Sequence, residues 1–373
     1  MTARSHTGRL VFFLQGERVP AARVRGQAII GALAAAGLPC EARVPYPSVY
    51  GDTRLPWPLN RARPLYVPWS FIKRFRELGD LRADDVVVFQ RPMTELPTLA
   101  LEKRAALERP SVFDFDDAIF LTRTSARKFR ALVPRVTAVI AGNAFLAEEA
   151  RRVGARGEIV VIPTVVDLNR FRAEPPSDRR GRQVVVGWTG SAVGFQYLLS
   201  IAPGIERALR RTGARFRIIA DRPPPHALTR IGAEFVRWNP VTEIEDLAAI
   251  DVGLMPLLDG PQERGKCAFK LIQYMALGRV GVASPVGANR EVVTDKVDGF
   301  FAASDDAWEE VLVRLINEPE ARREVGARAR QRIVSAYSID AVLPTYLDLF
   351  GGLLGDRAAQ RAGQKKVALQ PLM

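Results

Sequence analysis

The chain has 373 residues and a formal net charge of +13, from 54 Lys and Arg against 41 Asp and Glu. This length exceeds what one hydrophobic core usually fills, so we expect two domains. A hydrophobic fraction of 47% with 25% charged residues excludes a disordered chain. Two cysteines exclude a disulfide scaffold and indicate a reducing compartment, and two histidines argue against a His-ligated metal cluster or a Ser-His-Asp triad. No apolar run is long enough to cross a membrane, and residues 1–9 lack a signal-peptide core, so we expect a cytoplasmic protein.

Most of the positive charge lies in the first half of the chain. Residues 1–170 hold 26 Lys and Arg against 17 Asp and Glu. The stretch Arg54–Arg76 contains no acid, and aromatic residues are interleaved with its cations. Such a mixture is typical of contact with an anionic membrane surface, or of binding to single-stranded nucleic acid. The other interpretation is a proline-rich surface segment whose aromatic side chains fold back on the core.

Strands and helices alternate along the chain. In the first half, apolar runs typical of a buried parallel sheet predict strands at Leu10–Gln15, Asp85–Phe89, Ser111–Phe115, Ala138–Ala141 and Ile159–Ile162. The pattern restarts later, with predicted strands at Gln183–Trp188, Phe216–Ala220, Glu234–Val236, Val252–Met255 and Val280–Ala283. Helices are predicted over 24–36, 243–249, 266–277, 306–316, 319–335 and 339–353.

This restart divides the chain into two predicted domains. Residues 1–170 form the first Rossmann-like domain, and residues 171–182 are a polar, Pro-containing linker. Residues 183–355 form the second Rossmann-like domain, whose last helices are candidates for crossing back to the first, and residues 356–373 form a basic tail. We expect these two doubly wound α/β domains to face each other across a cleft.

Two segments of the second domain are candidate phosphate sites. In the turn after its first strand, Gly190 permits a close backbone approach and Ser191 can cap the following helix. On a helix starting near residue 266, Lys266, Lys270 and Gln273 share one polar stripe. Two lysines at a helix N-terminus oppose the macrodipole, and a bound diphosphate would remove this conflict. The alternatives are an ordinary strand–helix turn and two solvated lysines.

The segment GKCAFKLIQYMALGRVGVASPVGANREVV, which begins at Gly265, resembles the signature region of glycosyltransferase family 4. These are retaining sugar-nucleotide transferases with the GT-B fold. Further segments match in the same order along the chain, namely DFDDAIF, AVIAGNAFLAEEARR, VVIPTVVDLNRF, VVVGWTG and DVGLMPL. The resemblance implies a GT-B fold, a UDP- or GDP-linked sugar as the donor substrate, no cofactor, and transfer without a metal ion.

The chain departs from the family pattern at its signature. The family has two glutamates separated by seven residues, and Gly265 and Gln273 stand at those positions here. Gln273 can still hydrogen-bond a ribose hydroxyl, and Glu263 is a candidate carboxylate for the sugar. The loop that commonly holds cations in the family has none here, so we infer that Lys266 and Lys270 neutralise the diphosphate. The predicted donor-binding residues are Gly190, Ser191, Glu263, Lys266, Cys267, Ala268, Phe269, Lys270 and Gln273.

The first domain has its own candidate site at the end of the strand SVFDF. Asp114, Asp116 and Asp117 lie so close together that, if buried, they should bind cations or share a proton. In the family that the chain resembles, this segment faces the cleft, and a histidine often lies near the reacting sugar. Since no histidine is available here, the resemblance implies that Asp116 or Asp117 is the catalytic residue that orients or deprotonates the acceptor hydroxyl. Helix capping is the alternative, and a metal-holding D-x-D of the GT-A fold is disfavoured by the second α/β unit. Arg23 and Arg25 are predicted to bind an acceptor phosphate or the donor diphosphate.

These observations predict a retaining glycosyltransferase that moves a sugar from a nucleotide diphosphate to a hydroxyl acceptor. A lipid-linked or saccharide acceptor in cell-envelope polysaccharide or glycolipid synthesis fits the Arg54–Arg76 segment, with the enzyme cytoplasmic or peripheral on the inner membrane face. The alternatives are an inert GT-B-like binding or scaffold protein and a nucleotide-sugar 2-epimerase. A nucleic-acid-binding role ranks below these, and we expect no nucleic-acid partner.

Overall fold

The computed structural model describes residues 8–16, 19, 21–44, 63–94, 98–172 and 182–367, with the backbone alone over 63–69 and 356–367. The chain folds as two compact units. The first comprises Met1–Pro163 and Val342–Met373, and the second comprises Thr164–Ala341. The chain therefore enters the second unit before the predicted linker 171–182 and returns to the first within its last helix.

The described strands of the first unit form one parallel sheet in the order β2-β1-β3-β4-β5-β6. They are β1 (Leu10–Phe13), β2 (Cys40–Arg43), β3 (Val86–Gln90), β4 (Ser111–Phe115), β5 (Ala138–Ala141) and β6 (Glu158–Val161). The four central strands are buried along their whole length, as expected for strands covered on both faces. The strand order reverses between β1 and β3, which places the switch point of this sheet at their carboxyl ends.

Helices cover this first sheet. A π-helical turn over Ala22–Gln27 runs into α1 (Ala28–Ala35). The following helices are α2 (Arg63–Gly79), α3 (Ala100–Glu108), α4 (Arg123–Leu132) and α5 (Ala144–Arg152). The last helix of the chain also belongs here, since Phe350 packs edge-on against Phe12 of β1 with ring centroids 5.8 Å apart.

The described strands of the second unit form a parallel sheet in the order β12-β11-β10-β7-β8-β9. They are β7 (Val185–Gly190), β8 (Arg215–Ala220), β9 (Ala233–Arg237), β10 (Val252–Met255), β11 (Val280–Ala283) and β12 (Phe300–Phe301). Here the order reverses between β7 and β10, which pair directly through Val186 and Val252. The switch point of the second sheet therefore lies at the carboxyl ends of β7 and β10.

The second unit contains helices of very different lengths. They are α6 (Phe195–Leu199), α7 (Ala202–Thr212), α8 (His226–Thr229), α9 (Glu243–Ala248), α10 (Pro261–Arg264), α11 (Phe269–Ala276), α12 (Asn289–Val292), α13 (Asp305–Asn317), α14 (Pro319–Ala336) and α15 (Ile339–Val367). Helix α15 begins in the second unit and continues in the first from Val342. Within the described residues, no helix is both long and apolar enough to span a membrane.

The predicted strands are confirmed, with ends that differ by no more than two residues. Strands β2 and β12 were not predicted, because β2 carries two charged residues at a sheet edge and β12 is only two residues long. The predicted start of the helix over 266–277 was wrong. Helix α11 begins at Phe269, because Ala268 adopts the left-handed conformation with φ 51° and separates Lys266 from the helix.

Candidate functional site

Two loops leave the carboxyl ends of β7 and β10 at the switch point of the second sheet. The first follows Gly190, the last residue of β7, and the second leads from Met255 to the start of α11. Most of the predicted donor-binding residues lie on these loops, and Lys270 and Gln273 follow on α11. Open α/β sheets bind ligands at such a position.

Gly190 and Lys270 come together at this switch point. A Cβ atom at Gly190 would lie 2.8 Å from Cε of Lys270 and 2.6 Å from the indole ring of Trp188, closer than such atoms normally approach. Nζ of Lys270 lies 5.6 Å from the centroid of the buried Trp188 ring, within cation–π range. The absence of a side chain at Gly190 therefore allows the Lys270 side chain to lie along the turn.

Tyr274 joins helix α11 to the end of β7. Its buried hydroxyl accepts a hydrogen bond of 2.9 Å from the backbone N–H of Thr189. The ring lies against Gly253 of β10, where a Cβ atom would come within 2.2 Å of it. Burial raises the pKa of Tyr274, so the hydroxyl stays protonated. Sequence reasoning missed this residue, because an aromatic residue at an apolar helix position signals only packing.

The turn after β7 differs from the prediction at Ser191. The Ser191 side chain makes no capping hydrogen bond to the following 3-10 turn, so its predicted capping role was wrong. Instead, the backbone N–H of Ala192 donates a 2.7 Å hydrogen bond to Oδ1 of Asp221, which follows β8. A carboxylate of the chain thus already occupies one N–H donor of this turn.

Glu263 lies on the short helix α10 and is held by a tyrosine. The hydroxyl of Tyr197, on α6, donates a hydrogen bond of 2.5 Å to Oε1 of Glu263. Because α6 follows β7 and α10 follows β10, this bond connects the two loops of the switch point. The structure therefore brings Glu263 to the same edge as Gly190 and Lys270.

The predicted polar stripe retains Lys270 and Gln273, which lie about one turn apart on α11, but not Lys266. Lys266 precedes α11, and Gln273 is only 4% exposed, with Nε2 donating a 3.4 Å hydrogen bond to Oε1 of Glu243. Three predicted donor-binding residues lie between Lys266 and Lys270. Cys267 and Ala268 are buried, and Phe269 is partly buried against the hydrophobic core of the second unit.

Arg25 and Asp114 form a buried ion pair in the first unit. Nη2 of Arg25 lies 2.6 Å from Oδ1 of Asp114, and its Nη1 donates a 2.8 Å hydrogen bond to the carbonyl oxygen of Ile162. Burial opposes the charge of Arg25, but Asp114 outweighs it and the pKa of Arg25 is raised. The predicted phosphate ligand Arg25 is therefore matched internally, whereas Arg23 in the same π-helical turn is only partly buried.

Asp116 and Asp117 lie beside Arg91, a residue that sequence reasoning missed. Nη2 of Arg91 is 2.7 Å from Oδ1 of Asp116 and 4.0 Å from Oδ2 of Asp117. Arg91 follows β3 with φ 62°, which is uncommon for a residue other than glycine. Burial raises the pKa of Asp116, but Arg91 and Arg25 outweigh that effect and lower it. Guanidinium groups of the chain itself thus lie against Asp114 and Asp116.

The Arg54–Arg76 segment is only partly described, since residues 54–62 and the side chains of 63–69 lie outside the described part. Arg74 is fully buried and donates hydrogen bonds of 2.6 and 3.0 Å to the carbonyl oxygens of Leu14 and Arg43. This cation of the predicted membrane surface is therefore structural. Ile72 and Phe75 on the same helix are each about half exposed.

No group of three or more His, Cys, Asp or Glu side chains in the described part of the chain is arranged to hold a metal ion. Asp114 and Asp116 are instead paired with arginines.

One family profile matches most of the second unit. Residues 183–318 match the family profile described as "Glycosyl transferases group 1", a range that includes Gly190 and the whole of α11. No curated protein sequence matches the chain.

Several solved structures share the fold over nearly the whole chain. Sucrose-phosphate synthase from Thermosynechococcus elongatus has a TM-score of 0.68 at 14% identity and covers 94% of this chain and 100% of its own. A glycosyltransferase from Rickettsia africae has a TM-score of 0.67 at 10% identity, covering 94% and 99%. Anabaena Alr3699/HepE in complex with UDP and glucose has a TM-score of 0.65 at 15% identity, covering 92% and 100%. The predicted fold class, GT-B with two Rossmann-like doubly wound domains, is confirmed.

Proposed function

We propose that this protein is a retaining glycosyltransferase that transfers a sugar from a nucleoside-diphosphate sugar to a hydroxyl group. The observation that carries the proposal is the placement of Lys270 along the Gly190 turn at the switch point of the second sheet. The match of residues 183–318 to a glycosyltransferase family and the shared GT-B fold support the same activity.

The second unit holds the donor in this proposal. When the bond between the anomeric carbon and the diphosphate oxygen breaks, negative charge develops on the leaving group. Lys270 and Lys266 stabilise that charge, as fixed cations do in other transfer reactions. Because lysines supply the positive charge, we propose that the transfer proceeds without a metal ion or cofactor.

The first unit provides the acceptor side in this proposal. Asp116 is held by Arg91 and has a lowered pKa, which makes its carboxylate a weak proton acceptor. Asp117 is about one-third exposed, and its Oδ1 accepts a 2.9 Å hydrogen bond from the N–H of Ala118. Asp117 therefore orients or deprotonates the acceptor hydroxyl, and Arg91 with Asp116 positions it.

Uridine is the first base to test for the donor. The Anabaena protein was solved with UDP and glucose and with UDP-glucose, and pneumococcal GtfA, an O-GlcNAc transferase with a TM-score of 0.58, was solved with UDP and GlcNAc. GDP-linked sugars are the second choice.

The acceptor is a lipid-linked or other saccharide, in the synthesis of a cell-envelope polysaccharide or glycolipid, and the enzyme works in the cytoplasm against the membrane. The net charge of +13 and the exposed Ile72 and Phe75 on α2 support this part. Cosedimentation with phosphatidylglycerol vesicles tests the membrane contact. The wild type should bind these vesicles, and Phe75→Ser should bind them more weakly. Neither the wild type nor the variant should bind phosphatidylcholine vesicles.

Turnover of a panel of UDP- and GDP-sugars with a bacterial lipid extract tests the activity. Release of nucleotide together with a glycosylated product, in which the anomeric configuration is retained, is the expected result. Nucleotide-sugar binding without turnover would indicate an inert binding protein instead. Conversion of the nucleotide sugar to its 2-epimer without an acceptor would indicate an epimerase.

A further inference from the structure

A buried carboxylate from another part of the chain contacts Gln273. Glu243 is the first residue of α9 and is 9% exposed. Its Oε1 lies 3.4 Å from Nε2 of Gln273, and its Oε2 lies 3.9 Å from Nη2 of Arg170. Both distances exceed the roughly 2.7–2.9 Å of a strong charge-assisted hydrogen bond.

The pairing determines how Gln273 presents its amide. An ionised carboxylate can only accept hydrogen bonds, so Gln273 turns its NH₂ group toward Glu243 and its carbonyl oxygen away. The pair offers carboxylate and amide acceptors together with an amide donor. A vicinal diol, in which each hydroxyl both donates and accepts, is the complementary ligand.

The pair also lies at the right place for such a diol. Gln273 follows Lys270 by three residues on α11, so the two share one side of the helix about one turn apart, or about 5 Å along its axis. In a nucleoside diphosphate the ribose is attached directly to the diphosphate. A ligand with its diphosphate at Lys270 therefore has its ribose within reach of Gln273 and its partner Glu243.

We propose that Glu243 binds the ribose hydroxyls of the donor nucleotide and that Gln273 positions the Glu243 carboxylate. The inference rests on the proposed function. In the family that this chain resembles, a glutamate stands at the position of Gln273, and here the carboxylate reaches the same place from α9. The replacement of the signature glutamate is then an exchange of positions between two elements, and the site keeps its negative charge.

The test compares UDP with 2′,3′-dideoxy-UDP, which lacks both ribose hydroxyls, by calorimetric titration of the full-length protein. The wild type should bind UDP about ten-fold more tightly than the dideoxy nucleotide, because hydrogen bonds to a charged group are lost. Glu243→Gln should lose that preference, with binding of the dideoxy nucleotide unchanged. Glu245→Gln, an exposed carboxylate on the same helix, is the matched control and should behave as the wild type.

The exchanged double variant Glu243→Gln with Gln273→Glu should recover the preference for UDP, because it again presents one carboxylate and one amide. Two results for Glu243→Gln would overturn the proposal while leaving the donor site in place. One is an equal loss of affinity for UDP and for the dideoxy nucleotide, and the other is an undiminished preference for UDP. If the wild type binds neither UDP nor GDP, the proposed function itself fails, and this inference fails with it.

Discussion

Charged side chains of the first candidate site are matched within the chain. In the first unit, Arg25 is paired with Asp114 and Arg91 with Asp116, so these guanidinium groups have carboxylate partners. Arg25 therefore gains little from an incoming phosphate. In the second unit, Nζ of Lys270 lies within cation–π range of the Trp188 ring.

Lys270→Ala should raise the dissociation constant for UDP by about ten-fold or more, because a charged hydrogen-bond partner of the diphosphate is lost. Calorimetric titration measures this change. Lys103→Ala, which removes an exposed lysine on α3, is the control and should leave UDP binding unchanged. Unchanged binding by Lys270→Ala would remove this lysine from the donor site.

Asp117→Asn should lower kcat by about 10²-fold or more, as expected when a group that accepts a proton is lost. The melting temperature should change little, because Asp117 is partly exposed. Asp116→Asn should instead destabilise the fold, since it leaves the charge of Arg91 without its nearest carboxylate. Rate measurements at saturating donor, with thermal unfolding of both variants, separate the two roles. A full rate in Asp117→Asn would exclude it as the catalytic carboxylate.

Residue-level contacts were the part of the site least accessible from sequence. The meeting of Gly190, Lys270 and Glu263 at one sheet edge could be predicted, because they lie on segments that follow neighbouring strands of a parallel sheet. Arg91 and Glu243 could not, since their importance comes from partners 25 and 30 residues away in the chain. The local sequence around either residue carries no sign of these contacts.

At the scale of elements, apolar pattern predicted the strands better than the helix ends. Strands β10 and β11 are continuous buried runs, and their predicted bounds match the structure. The start of α11 depended on Ala268, which adopts φ 51° although alanine rarely does so. Helix propensity does not indicate that conformation.

Gly190→Ala tests how β7 and α11 fit together. The added Cβ would clash with Trp188 and Lys270, so we expect a loss of about 1–3 kcal/mol in the free energy of unfolding, as for overpacked cores. UDP binding should weaken as well. Gly31→Ala, in helix α1 with open space around it, should stabilise the protein by about 0.5–1 kcal/mol. Urea unfolding of both variants measures these changes. Equal changes in the free energy of unfolding for Gly190→Ala and Gly31→Ala would contradict the close packing of β7 against α11.

At the scale of the whole molecule, the net charge has more than one origin. Arg25 and Arg74 are buried and serve the fold of the first unit, although the sequence alone does not distinguish them from solvated cations. The two doubly wound units were predictable, because the strand–helix pattern restarts along the chain. The boundary at Thr164 was harder to predict from sequence, since the second unit begins before the polar stretch that predicted the linker.

Transfer should be insensitive to EDTA, because lysines of the second unit neutralise the leaving diphosphate. Rates with and without EDTA, followed by addition of Mg²⁺ or Mn²⁺, test this expectation. Loss of activity in EDTA and its recovery with the metal would contradict metal-independent transfer.

Titration of the wild-type protein with UDP and with GDP tests the central claim most directly, namely that the second unit holds a nucleoside diphosphate. We predict that one of the two nucleotides binds with 1:1 stoichiometry and raises the melting temperature as its concentration increases, because a ligand specific for the folded state stabilises it. Binding of neither nucleotide, with no change in melting temperature, would contradict the proposed donor site.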